Sequence, residues 1–202
     1  MPRQTDTKET ILKTALDLFS KHGYAGSSIR MIANKTGIRE SAVYNHFSSK
    51  EAIFNAVRDR YSRLSYGKDL LTDDLIEELS DPNKFLHSFA RKLVSIWSDE
   101  NEIKFIRMLL MEQFTGVGET GLSLTDSLSE LRSICKMLFG EMIKHNFVRK
   151  TDVDLLADEY ILPLYFIRIE HISSPAKPDY DLILNLVNTH VDFFGNAVEV
   201  KE

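Results

Sequence analysis

Between Ser27 and Phe47 the chain reads SSIRMIANKTGIRESAVYNHF, two short helical patterns broken at Gly37. Ile29, Ile32 and Ala33 stand at i, i+3 and i+4, so the first pattern has an apolar face that must be buried. After the corner Thr36-Gly37-Ile38, Val43 and Phe47 form a second apolar pair at i, i+4. The positions left over, Arg39, Glu40, Ser41, Tyr44, Asn45 and His46, are charged, amide, hydroxyl or aromatic-polar. Two helices of about two turns joined at a glycine suit a helix-turn-helix whose second helix lies in a DNA major groove. The competing reading is an ordinary corner between two helices of an all-helical protein.

Neighbouring signals add two more helices. Ser27 is placed to cap the first short helix, and Ser48-Ser49-Lys50-Glu51 has the spacing of a capping box, with Ser48 as the cap. Upstream, Asp6 to Glu9 repeats that spacing and opens a helix carrying Ile11, Leu12, Ala15, Leu16, Leu18 and Phe19. It ends at His22-Gly23, where glycine suits a left-handed C-cap.

This order resembles the DNA-binding domain of the tetracycline-repressor (TetR) family of bacterial transcription regulators. The residues that carry the resemblance are Gly23-Tyr24, Ser28-Ile29-Arg30-Met31-Ile32-Ala33, Gly37, Val43-Tyr44-Asn45-His46-Phe47 and Lys50-Glu51. It covers roughly residues 8 to 56. Two positions depart from the family's habit: Arg39 stands where a serine commonly caps the second helix, and Ser41 where a glycine is common. Both bear on which DNA sequence is read. On this reading Ser28, Tyr44, His46 and Lys50 meet phosphates, and Arg39, Glu40, Ser41 and Asn45 face base edges, Arg39 toward guanine and Asn45 toward adenine. The expected division is a helix-turn-helix domain over 1–50 and a helical effector-binding and dimerisation domain over 51–202.

Charge is distributed to match. The whole chain is acidic, net −5, which by itself argues against nucleic acid. Residues 1–65, however, hold 11 Lys/Arg against 6 Asp/Glu, and residues 66–202 hold 14 against 24. A cationic head on an anionic body can meet phosphate while the body stays clear. No run of 18 apolar residues exists to span a membrane, the first residues lack the apolar stretch of a secretion signal, and Cys135 is a lone cysteine. A cytoplasmic protein is the expectation.

From Lys50 onward helical patterns alternate with short polar breaks, so the chain is expected to be all-α. A connecting helix is expected from Glu51 to about Tyr66, and further ones over 72–79, 82–97, 99–114 with its cap at Asp99 to Glu102, 123–145, 151–172 and 178–198. The last two are apolar nearly all round, so each needs burial on more than one side. A two-fold dimer provides it, with Leu156, Tyr160, Leu164, Ile167, Leu186, Val187 and Phe194 taken as the interface. The resemblance implies the same interface and an effector cavity in the middle helices. For that cavity the bulky or polar candidates are Phe89, Trp97, Phe105, Met108, Glu112 and Met137. Pro163 is expected mid-helix.

Other motifs carry little. Gly116-Val117-Gly118-Glu119-Thr120-Gly121 matches a dinucleotide fingerprint by letter, but a helical pattern precedes it where a strand is required. Glu141 and His145 are one helical turn apart without further ligands at metal-binding spacing. No catalytic constellation, metal site or cofactor site is expected. The sequence therefore reads as a homodimeric transcriptional repressor that binds a palindromic operator and is released by a small organic effector. The alternative is an all-helical ligand-binding protein or enzyme that does not bind DNA.

Overall fold

A computed structural model of the chain describes residues 4–61, 66–112, 124–174 and 176–199, whose regular elements are all helices, with no strand among them. The chain divides into two compact units. One comprises Met1–Ser62 together with Glu100–Leu124, the other Arg63–Asp99 with Thr125–Glu202. The N-terminal unit thus runs past residue 50 and takes in a helix from the middle of the sequence.

That unit contains α1 (Gln4–His22), α2 (Ile29–Thr36), α3 (Glu40–Tyr44), α4 (Lys50–Tyr61) and, after a long excursion, α8 (Glu100–Glu112). The excursion carries α5 (Gly67–Leu70), α6 (Asp73–Glu77) and α7 (Pro82–Trp97). The core of the N-terminal unit is one cluster. Ile11, Ala15, Leu16 and Phe19 of α1 meet Ile32 and Ala33 of α2, Val43 and Phe47 at α3, and Ile53, Phe54 and Val57 of α4. Phe105, Ile106, Met108 and Leu109 of α8 complete it. Phe54 stands edge-on to both Phe19 and Tyr24, ring centroids 5.3 Å apart in each case, a favoured arrangement of aromatic quadrupoles.

The caps fall close to their expected places, often one residue away. Helix α1 begins before Asp6, so no cap lies at that residue. Ser28 caps α2, accepting the Met31 N–H at 3.2 Å, while Ser27 is buried and donates its hydroxyl to the Gly23 carbonyl at 2.8 Å. Ser49, not Ser48, accepts from the start of α4, the Ala52 N–H at 3.0 Å. In each case the capping bond falls on the second of two adjacent serines.

The second unit holds α5 to α7 together with α9 (Leu124–Lys144), α10 (Val153–Ile167) and α11 (Tyr180–Val198). The expected connecting helix is over before Tyr66, which precedes the first turn of α5. Asp81, Asp152 and Asp179 accept backbone N–H groups at the starts of α7, α10 and α11, and Pro82 occupies the first turn of α7, where its missing N–H costs nothing. Helix α11 packs against α7 and α10. Phe85, Phe89, Tyr160, Phe139 and Phe194 form a continuous aromatic chain with centroid separations of 5.2–5.9 Å. The Tyr160 hydroxyl donates to the Leu86 carbonyl at 2.6 Å, and burial drives its pKa well above the ordinary tyrosine value. Pro163 lies inside α10 as expected. Beyond it the α-helix widens into a π-helical turn, Arg168–Ile172, closed by the Ser173 N–H on the Arg168 carbonyl at 2.8 Å.

Candidate nucleic-acid interface

The corner between α2 and α3 is set by Gly37, whose φ of 72° lies in the left-handed region that a side chain disfavours. Its N–H bonds the Asn34 carbonyl and that of Ile38 bonds the Ala33 carbonyl, so the end of α2 is satisfied within the corner. Helix α3 is only five residues long, shorter than the two turns read from the sequence, and Asn45 and Phe47 continue its turn through bonds to Ser41 and Val43. Val43 and Phe47 point into the core, which fixes the opposite side outward.

That outward side holds Arg39, Glu40, Ser41, Tyr44 and Asn45, all exposed, with Tyr44 52% accessible despite its ring. His46 is half-buried at the edge. Arg39 precedes α3 without a side-chain capping bond, so its guanidinium is not spent on the helix. The exposed face of α2 adds Arg30 and Asn34, one helical turn apart, which the sequence reading left out. Their spacing, opposite the Ile29-Ile32-Ala33 stripe, was the signal available to find them. Ser28 is exposed at the start of α2, where its oxygen already accepts the capping bond.

Lys50 is held differently from a free phosphate ligand. Its Nζ donates to the carbonyls of Tyr24 and Ser27 at 2.7 and 2.9 Å and sits 4.0 Å above the Tyr24 ring. On the other side of the same turn, the buried Glu112 of α8 accepts the Tyr24 N–H at 2.6 Å. A Cβ on Gly23 would come within 3.0 Å of that carboxylate, so glycine serves both the positive φ of 69° and the close approach. The turn joining α1 to α2 is therefore clamped between a lysine of α4 and a glutamate of α8. Sequence spacing could not show this pairing, since 88 residues separate Tyr24 from Glu112.

Asp17 gathers three lysines around the head: Lys35 of α2, Lys21 of α1 and Lys104 of α8. Burial opposes its charge, but hydrogen bonds from Lys35 and Lys21 and the nearby charge of Lys104 outweigh that, holding the carboxyl far below the usual carboxylate range.

Residues 11–57 match the model of the bacterial regulatory proteins, tetR family. The head belongs to that family. Over 63 residues this chain is 41% identical to the HTH-type transcriptional regulator YerO of Bacillus subtilis, a match covering 31% of this chain and 22% of YerO. Over 86 residues it is 29% identical to the HTH-type transcriptional repressor AcnR of Corynebacterium glutamicum, covering 41% of this chain and 46% of AcnR. The chain thus spans less than half the length of these curated relatives. The solved structure of AibR, in complex with isovaleryl coenzyme A and operator DNA, superposes along 91% of this chain and 97% of its own, with a TM-score of 0.63 at 19% identity. At that identity the likeness is one of fold.

The residues chosen from sequence for an effector cavity are divided between the two units. Phe105, Met108 and Glu112 lie in the core of the TetR-type head or on its clamp. Phe89 and Trp97 are buried in the second unit, and Met137 there is 51% exposed. Bulk and helical spacing did not separate core from cavity, because the side of each helix that turns inward is a tertiary property. The dimer residues fare similarly: Leu156, Tyr160, Leu164, Val187 and Phe194 are buried within the unit itself, and Ile167 and Leu186 are half-buried. The exposed apolar side chains are others. Leu155, Leu162 and Phe166 line one side of α10, and Tyr180, Leu182, Leu184 and Phe193 stand out from α11.

Cys135 is buried, and burial followed by the charge of Asp158 pushes its thiol up to about 12. Glu141 and His145 form an exposed pair at 3.7 Å, and no group of three metal-ligating side chains occurs among the described residues. The glycine run 116–121 lies outside the described residues. No helix among those described is long and apolar enough to cross a membrane.

Proposed function

We propose that the protein is a transcriptional repressor that binds a two-fold symmetric DNA operator as a homodimer and leaves it when a small organic effector binds the second unit. The observation that carries this reading is the outward face of α3. It presents Arg39, Glu40, Ser41, Tyr44 and Asn45 to solvent just past a corner closed by the Gly37 and Ile38 backbone bonds, in the segment that matches the tetR family. Such a face, with a guanidinium, a carboxylate and an amide, offers the donors and acceptors that base edges require. Arg30, Ser28 and Tyr44 are suited to phosphates at its margin. Lys50 serves this function chiefly by holding the α1–α2 turn.

Support for dimerisation comes from α10 and α11. Phe166 is 62% and Phe193 76% exposed, and Leu155, Leu162 and Phe166 fall at i, i+7 and i+11, one side of a helix. Leu182 and Phe193 have the same eleven-residue spacing on α11. Apolar stripes of this kind on two adjacent helices match the self-complementary patch of a two-fold interface. We assign the interface to these side chains instead of their buried neighbours. AcnR is a repressor by name, and AibR was solved with both an acyl coenzyme A and operator DNA, which supports repression and effector control here.

Selection of bound fragments from genomic DNA, followed by electrophoretic titration of the selected and scrambled sites at two salt concentrations, tests the reading. A steep salt dependence and a preference for a palindromic site are expected. Absence of affinity for any duplex at low salt would refute it, and favour a helical ligand-binding protein.

A further inference from the structure

Most cations of the head are held by a partner within it. Lys21, Lys35 and Lys104 converge on Asp17. Arg60 grips Glu9 at 3.0 Å, Arg58 reaches Asp59 at 3.8 Å, and Lys50 is bonded to two carbonyls. Lys104 first, and Lys13 with it, hold the Glu100 carboxyl below its ordinary value. Lys8, Arg30 and Arg39 differ. All three are exposed, and none of their side chains forms an ion pair or hydrogen bond among the described residues.

Arg30 and Arg39 border the reading face already described, and Lys8 approaches it from another helix. Ile11, Leu12 and Ala15 of the core follow Lys8 at i+3, i+4 and i+7, so Lys8 continues the inward stripe of α1 past the end of the core. Its Nζ lies 5.5 Å from the ring centre of Phe47, the residue whose N–H bonds the Val43 carbonyl after the last turn of α3. A cation–π contact at an exposed site is a weak hold, and the flexible lysine stem lets the ammonium leave the ring for a stronger partner. An exposed cation without a carboxylate, beside a face built to meet DNA, gains most from a phosphate, because binding there releases a counterion. Phe47 turns inward from α3, so a group above its ring sits at the side of that helix. Base edges belong to the outward face, and the backbone to its margins.

We propose that Lys8 is a DNA-backbone contact, which carries the interface from α2 and α3 onto α1 and holds a phosphate beside the C-terminal end of α3. This rests on the DNA-binding reading given above and adds a third helix to its surface.

The full-length protein is titrated with a duplex selected from genomic DNA and with a scrambled duplex, by electrophoretic mobility at several salt concentrations. Lys8→Gln should weaken both duplexes by the same factor. Its salt slope should fall by about 0.9 per protomer, so the gap to the parent narrows about 3.5-fold per protomer between about 50 and 200 mM salt. Lys8→Arg should keep the parent slope. Lys21→Gln removes the same charge from the same helix, but one paired with Asp17, and should leave the slope near the parent value. Thermal melting establishes that each variant is folded. A second measurement needs no variant: acetylation of lysine amines in the parent, read by mass spectrometry. Saturating duplex should protect Lys8 and leave Lys21 reactive, and this decides if Lys8→Gln does not fold. The proposal is overturned if Lys8→Gln keeps the parent slope, if Lys21→Gln loses as much, if the loss is confined to the selected duplex, or if Lys8 stays reactive under DNA. A parent without affinity for either duplex overturns this contact together with the DNA-binding reading. A steep parent slope that Lys8→Gln leaves unchanged overturns the contact alone.

Discussion

The two units of this protein dress their outer surfaces in opposite ways. The TetR-type head gathers most of its large apolar side chains in or against one cluster and turns out Arg30, Asn34, Arg39, Glu40, Ser41 and Asn45. The second unit also has a dense interior, built on an aromatic chain. Yet it leaves Leu155, Leu162, Phe166, Leu182 and Phe193 outside. A surface of polar and charged groups stays hydrated without a partner. Exposed phenylalanines on two adjacent helices gain most by meeting their own copies. The contrast teaches that the head is finished as a folding unit, and that the α10–α11 surface is not.

The strongest challenge to that contrast replaces the exposed rings. If the proposed dimer forms through them, Phe166→Glu with Phe193→Glu should yield a monomer in analytical ultracentrifugation and lower operator affinity by about two to four decades, the usual worth of joining two weak sites. A double variant that stays dimeric would place the interface elsewhere. Next comes the head's own core. Phe19→Ala removes a fully buried ring that contacts Tyr24 and Phe54, and should cost about 3–5 kcal/mol, visible in denaturant unfolding. Little change would mean that the head has no unique core.

The clamp on the α1–α2 turn ranks third. Lys50→Met removes a charged donor from two carbonyls and should destabilise the head by about 1.5–3 kcal/mol, while the salt dependence of DNA binding stays close to that of the parent. A slope reduced by about one ion would instead return Lys50 to phosphate contact. Arg39→Ala should then relax discrimination at a single base pair by about 1–3 kcal/mol with stability preserved. Equal loss on matched and scrambled DNA would remove Arg39 from base reading.

The smallest effect concerns pH. The Asp17 carboxyl is depressed, so its contribution to stability is present above the unfolded carboxylate value of about 3.9 and is lost as pH falls below it. Parent minus Asp17→Asn should differ by about 1 kcal/mol, because two of the three lysines, Lys21 and Lys35, are about half exposed and solvent screens their pairs. Melting curves from pH 7 to 3 should show the difference shrinking on the acid side. A difference that grows there would reverse the sign of the argument.

How far the letters reached differs between the units for one reason. In the head, Gly37, Gly23, the serine pairs and the i, i+3, i+4 stripes act within a few residues of one another, so the corner and its outward face were readable, and the two serine caps moved by a single residue. The five-residue α3 was overestimated because Asn45 to Phe47 keep its turn without continuing its helix. In the body, helices apolar on several sides gave no way to tell which side meets the chain and which meets a partner. Tyr160 and Phe194 were therefore taken for interface when they are core.

The order of residues by itself determined the all-helical class, the starts of most helices, the helix-turn-helix and its candidate reading residues, and the surplus of apolar surface at the C-terminal end. These follow from propensity, capping and periodicity, which act locally. Only the tertiary structure decided that α8 belongs with the head, that Glu112 and Lys50 grip the same turn, that Phe166 and Phe193 face outward, and that Lys8 stands over the Phe47 ring. Those pairings join residues far apart in the chain, and no spacing rule operates across such separations. Packing, which selects the inward side of each helix, had to settle them.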